Sequence, residues 1–150
     1  MSELPAEGTI LVVALSGQQI LTPWSARGVT ETLTPIEQNI PPRRNVNGAL
    51  RDISFAAFQK YRIELTCKDV NAPALDGVWR GQSLLISCVH ELSFRTAGGS
   101  PARPVVSGST RVEGDFTYYR PQILAKVMDF SLGKDEWPAD VSWRMILDEV

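Results

Sequence analysis

Histidine occurs once in this chain, at His90, and cysteine only twice, at Cys67 and Cys88, with no CxxC spacing. A zinc site of the usual Cys/His kind needs more ligands than this supplies. A nucleophilic hydrolase built on a histidine base has a single candidate for that base. No glycine-rich phosphate loop and no nucleotide motif is present. The longest apolar run, Ile10 to Leu15, is too short to cross a bilayer, and no basic segment precedes it as a signal peptide requires. The expectation is a soluble chain made in the cytoplasm and not exported by that route. Charge of one sign is also lacking: 15 basic against 17 acidic residues give a formal net charge of -2. Nucleic acid and anionic membranes both call for a basic footprint, so neither is expected as a partner, and only a local basic patch remains open.

What is present is ordinary globular material. The 150 residues carry 43% hydrophobic and 21% charged side chains. That is the usual size of one domain, able to bury roughly 70% of its unfolded surface without staples. A single domain spanning residues 1–150 is expected, with no internal repeat.

The hydrophobic pattern has a period of two nearly throughout. Thr9–Leu15 (TILVVAL) reads as a strand, Ser16-Gly17 as a turn, and Gln19–Thr22 as a short return strand that Pro23 ends. In Gly28–Leu33, Val29, Glu31 and Leu33 share one face. Pro35–Arg44 is polar and proline-marked, with Pro41-Pro42 extended and Arg43-Arg44 directly after. Asn47-Gly48 predicts a hairpin with a type I′ turn. Ser54 ahead of Phe55–Lys60 predicts one or two helical turns. Arg62–Lys68 alternates cleanly, with Ile63, Leu65 and Cys67 facing inward. Ser83–Phe94 reads as one strand whose apolar face includes His90, and Pro104–Val112 as another. Glu113-Gly114-Asp115 turns into Phe116–Tyr119. Ile123–Leu132 is extended, with Leu124, Met128, Phe130 and Leu132 on one face, and pairs with an alternating strand through Val141, Trp143, Met145 and Leu147. Eight to ten short strands, mostly antiparallel, with at most one short helix near 55–60, predict an all-β sandwich or barrel. Long loops are expected at 35–45, 69–82 and 96–103; the second is unusually long for a hairpin connection, which marks it as functional.

Each candidate for chemistry has a plainer reading beside it. His90, mid-strand on an apolar face, reads better as a structural or interface residue than as a base. If the strands of Cys67 and Cys88 pair, a disulfide is geometrically open; the alternative, which we favour, is two small core thiols. Asp135-Glu136 and Asp148-Glu149 are adjacent pairs, not the distant facing carboxylates of a glycosidase, and Asp69, Asn71 and Asp76 match no calcium loop. Arg43, Arg44 and Arg51 form the most basic cluster, and ion pairing across a protein interface suits them better than nucleic acid. Trp24, Trp79 and Trp137 each sit beside proline or glycine, or in a predicted loop with them nearby, and tryptophan in a loop commonly anchors an interface. Leu75, Asp76, Val78 and Arg80 accompany Trp79 at the tip of the 69–82 loop. Trp24, Arg43, Arg44, Leu75, Asp76, Val78, Trp79, Arg80 and Trp137 are the expected interface; no catalytic residue, metal site or cofactor is expected.

Several blocks together carry a resemblance: SARGVTETLTPI (Ser25–Ile36), RRNVNG (Arg43–Gly48), CKDVNAPALDGVWRGQ (Cys67–Gln82), CVHELSF (Cys88–Phe94), and the stretch from YYRPQILAKV to DEWPADVSWRMILDEV (Tyr118–Val150). The chain resembles a family of small virion-associated proteins of tailed bacteriophages of proteobacteria, over most of its length from Ser25. The resemblance implies a structural subunit of the virion without enzymatic activity, a tail, tail-tip or neck ring component. Its partners are then other copies of itself and neighbouring virion proteins, assembled in the host cytoplasm. Rings of this kind use heterologous, head-to-tail contacts. A capsid decoration protein and a carbohydrate-binding module with Trp79 and Trp24 as platforms remain the alternatives, and a hydrolase using His90 the most remote one.

Overall fold

The computed structural model describes residues 9–36, 42–51, 59–134, 136 and 140–150. Among them the chain is all-β: β1 (Val12–Leu15), β2 (Gln18–Gln19), β3 (Thr30–Pro35), β4 (Arg43–Arg44), β5 (Leu50–Arg51), β6 (Tyr61–Asp69), β7 (Ser83–Ser87), β8 (Leu92–Arg95), β9 (Arg111–Glu113), β10 (Phe116–Tyr119), β11 (Gln122–Lys134) and β12 (Val141–Glu149). The helical turns expected at Phe55–Lys60 fall largely outside the described residues. Seven strands form one antiparallel sheet in the order β2-β1-β7-β11-β12-β6-β3; β8-β10-β9 form a second sheet and β4-β5 a separate hairpin.

One face of the large sheet is apolar because its strands alternate. Ile63, Leu65 and Cys67 of β6 meet Trp143, Met145 and Leu147 of β12, Ile123, Ala125 and Val127 of β11, Leu84 and Ile86 of β7, and Val13 of β1 in one buried cluster. Burying each of the larger aliphatic side chains contributes roughly 1.5–3 kcal/mol. The sheet covers this face by rolling on itself. Glu31 on the edge strand β3 accepts hydrogen bonds from the backbone N–H of Val89 (3.0 Å) and His90 (3.2 Å), just beyond β7. In sheet order β7 and β3 are separated by β11, β12 and β6, so only a strongly curved sheet brings them together. The roll is barrel-like, closed by a side chain rather than by a ladder. Its interior is plugged by Ile20, Leu21 and Ala26 from the β2–β3 connection and by Leu75 and Val78 from the β6–β7 connection. The indole N–H of Trp143 donates to the carbonyl of buried Ser25 at 2.7 Å, tying the plug to β12.

Four expectations are corrected. Ser83–Phe94 is two strands in two sheets: the Glu31 carboxylate gathers the N–H groups of residues 89 and 90, the chain bends there, and His90 is exposed rather than on an apolar face. Pro104–Val112 supplies only β9 and an isolated bridge from Val105 to Pro121, because Ser107-Gly108 turns the chain. The Asn47-Gly48 turn is not type I′: Gly48 has φ of 79° but Asn47 is not in the left-handed region. Instead the Asn45 carboxamide oxygen accepts from the N–H of Asn47 and of Ala49, both at 3.0 Å, which builds a longer loop with one left-handed residue. Last, β11 carries a bulge between Val127 and Asp129. Leu124, which precedes the bulge, and Met128 face solvent, whereas Phe130 and Leu132 share the face of their register partners Met145 and Trp143, Phe130 half-buried and Leu132 exposed.

Candidate interaction surface

The two cysteines and the histidine form no site. Cys67 and Cys88 are free and buried, and their strands do not pair, since β11 and β12 lie between β6 and β7. Burial pushes both thiols up, and the nearby Glu31 charge adds to this at Cys88. Among the described residues no group of three or more His, Cys, Asp or Glu could hold a metal ion, and no helix is long and apolar enough to cross a membrane. A cleft of about 500 Å³ runs beside Tyr61, Ala102 and Arg103. Its strongest polar group is already used: the Arg103 guanidinium bonds both oxygens of Glu149 at 2.8 Å and stacks over Tyr61 at 4.5 Å.

The 69–82 loop is anchored at its start by charge and in its middle by burial. Asp69, buried, receives the Arg27 backbone N–H (2.9 Å) and its guanidinium (2.8 Å). These bonds hold the Asp69 carboxyl well below the usual range, at about 2. The same guanidinium lies 4.4 Å over the Trp24 ring. Trp24 sits at φ of 63° and its carbonyl accepts from Asn71 N–H at 3.1 Å, so this tryptophan is held against its own domain, partly exposed. Leu75 and Val78, expected at the interface, are instead buried at 7% and 1%. They anchor the loop in the core and leave Asp76, Trp79 and Arg80 on its surface. Trp79 is 69% exposed and lines a groove with Arg80, Asp129 and Phe130. Arg80 pairs with Asp129 at 2.9 Å and holds its carboxyl low. Trp137 lies outside the described residues.

Beside Trp79 runs a feature the strand pattern did not announce. Strand β7 pairs with β11 only from Gln122 to Lys126. Val127 still turns away from β12, bonding Gln82 O at 2.9 Å and Gly81 N at 2.8 Å. Beyond the bulge, β11 pairs with β12 alone, from Asp129 to Lys134. The bulge shifts the alternation by one, so the next outward-facing backbone groups belong to Phe130, Leu132 and Lys134. Consistently, among the described residues the Phe130 N–H finds only the side-chain oxygen of Asp129, at 3.0 Å. The signal in the sequence is the slip in apolar phase, from Ile123, Ala125 and Val127 to Phe130 and Leu132.

The third component is the β4–β5 hairpin. Every residue from Pro42 to Arg51 is exposed, and among the described residues β4 and β5 contact no strand but each other. Val46 at the turn is 100% exposed and Leu50 59%. Arg43 lies directly opposite Arg51, and Arg44 opposite Leu50. Like charges facing across a ladder are destabilising, and a two-stranded hairpin is marginal by itself. Among the described residues Arg44 bonds only the Gly48 carbonyl, at 2.9 Å. By contrast Arg27, Arg62, Arg80, Arg103, Arg111 and Arg144 all meet carboxylates. Searches of protein-family models, curated proteins and solved structures find no match to this chain.

Proposed function

We propose that this chain is a structural subunit of a tailed-bacteriophage virion, a ring component of the tail, tail tip or neck that acts by subunit contacts and not by turnover. The phage setting rests on the sequence resemblance. The observation that carries the mode of action is the Pro42–Arg51 hairpin: a fully exposed arm with two opposed arginines and two bare aliphatic side chains. An element that is weak alone and rich in arginine suits a contact made with a partner. Trp79 and the open stretch of β11 supply a second exposed surface for such contacts.

The test is to purify particles of a phage that encodes the chain, assay them by mass spectrometry and locate the protein by antibody-labelled electron microscopy. The reading expects a stoichiometric component labelled on the tail axis. Absence from purified particles would overturn it, and label on head capsomers would replace it with a decoration role.

A further inference from the structure

We infer that the arm of one copy, Pro42–Arg51, adds as a strand pair to the open edge of β11, Phe130–Lys134, on a second copy. This deepens the subunit reading above and rests on it. Three observations converge. Beyond Val127 the outward backbone groups of the edge have no strand partner among the described residues, the Phe130 N–H meeting only the Asp129 side chain, and exposed strand edges recruit strands. Its flank offers apolar surface beside the Arg80–Asp129 pair, with Trp79 69% and Leu132 50% exposed and Phe130 half-buried. The arm brings what that flank lacks: free outer strand edges, Val46 and Leu50 for the apolar surface, and guanidinium groups for the indole face.

Charge selects a second copy as the occupant. Arg43 and Arg51 are opposed with no ion-pair partner among the described residues, so a carboxylate of a partner relieves the repulsion between them. Asp76 and Glu136 have no ion-pair or hydrogen-bond partner among the described residues. Asp76 stands in the Trp79 loop, and Glu136 two residues past the end of β11. Among the described residues the arm thus carries three arginines with no carboxylate partner, while Asp76 and Glu136 lie in the segments that flank the edge and Lys134 is the one cation on the edge itself. Because arm and edge are different surfaces, the contact is heterologous and propagates from copy to copy, closing into a ring where the rotation permits.

The test uses the full-length chain and three variants, each checked for a native circular-dichroism spectrum. Arg43→Glu/Arg51→Glu disables the arm. Leu132→Pro removes one outward N–H, which costs the β12 ladder nothing if it faces the open edge. Trp79→Ala disables the flank and keeps the test alive if the proline variant fails to fold. Sedimentation velocity is expected to show an oligomeric wild type, with self-association weakened by at least roughly 30-fold in each variant alone. An equimolar mixture of the arm variant and the Leu132→Pro variant (or Trp79→Ala) is expected to give a 1:1 dimer that grows no further, since each supplies one intact surface. An oligomeric wild type whose arm variant still assembles overturns the inference and leaves the subunit reading standing. An arm variant that assembles normally but loses binding to a DNA oligonucleotide overturns it in favour of nucleic acid. A monomeric wild type removes the self-assembly on which both rest.

Discussion

Glu31 is the side chain on which the rolled sheet most visibly depends, and replacing it gives a sharp measure of that dependence. Its carboxylate receives the N–H groups of Val89 and His90 from across the roll. Hydrogen bonds to charged acceptors contribute about 1.5–3 kcal/mol each, and the lower end applies because Val89 is half-buried and His90 exposed. Glu31→Ala is therefore expected to lose about 2–3 kcal/mol. Glu31→Gln keeps one acceptor oxygen and is expected to lose about 1 kcal/mol. For a domain of this size the alanine variant should melt roughly 5–10 °C below the parent. Urea unfolding followed by tryptophan fluorescence reads the difference as a lower midpoint at unchanged slope, because the native surface is otherwise kept. Hydrogen exchange at Val89 and His90 should accelerate more than exchange in β6 and β12. If Glu31→Ala unfolds within about 0.5 kcal/mol of the parent, the side-chain closure is not what holds β3 against the end of β7.

The β6–β7 loop gives a paired test: Val78→Ala, at a buried position, should cost about 2–3 kcal/mol, whereas Trp79→Ala next to it should stay within about 0.5 kcal/mol in urea unfolding. Asp69 has its folded pKa lowered to about 2 against an ordinary 3.8. Its contribution is therefore present above pH 4 and is lost as pH falls from about 4 toward 2. Asp69→Asn should cost about 1–2 kcal/mol at neutral pH, allowing for screening through half-exposed Arg27, with the gap to the parent closing on acidification. Cys67 and Cys88 should resist iodoacetamide in the native protein and react at the rate of unfolding, faster in Glu31→Ala; prompt labelling of Cys88 in the parent would contradict its burial.

The strands that alternate without interruption were legible in the sequence: β6 and β12 lie where Ile63, Leu65, Cys67 and Trp143, Met145, Leu147 place them. Readings went astray where a local residue redirects the chain. The Glu31 carboxylate, remote in sequence, ends β7 and frees His90; the extra residue at Met128 switches which apolar side chains of β11 point inward. Periodicity carries no information about either, because one is a long-range hydrogen bond and the other a one-residue insertion within an apolar run. At the surface, the exposure of Trp79 and of Arg43 and Arg44 followed from their neighbours in sequence. The burial of Leu75 and Val78 did not, since a loop that folds back to plug a roll looks in sequence like one that reaches outward. The open β11 edge was invisible for a similar reason: it depends on where β7 stops pairing.

The most direct measurement of the account is the solution mass of the full-length chain as concentration rises. The account predicts association into a defined species whose mass is an integer multiple of the 16.6 kDa protomer, lost on Arg43→Glu/Arg51→Glu. A chain that remains at 16.6 kDa at every concentration up to its solubility limit would contradict it.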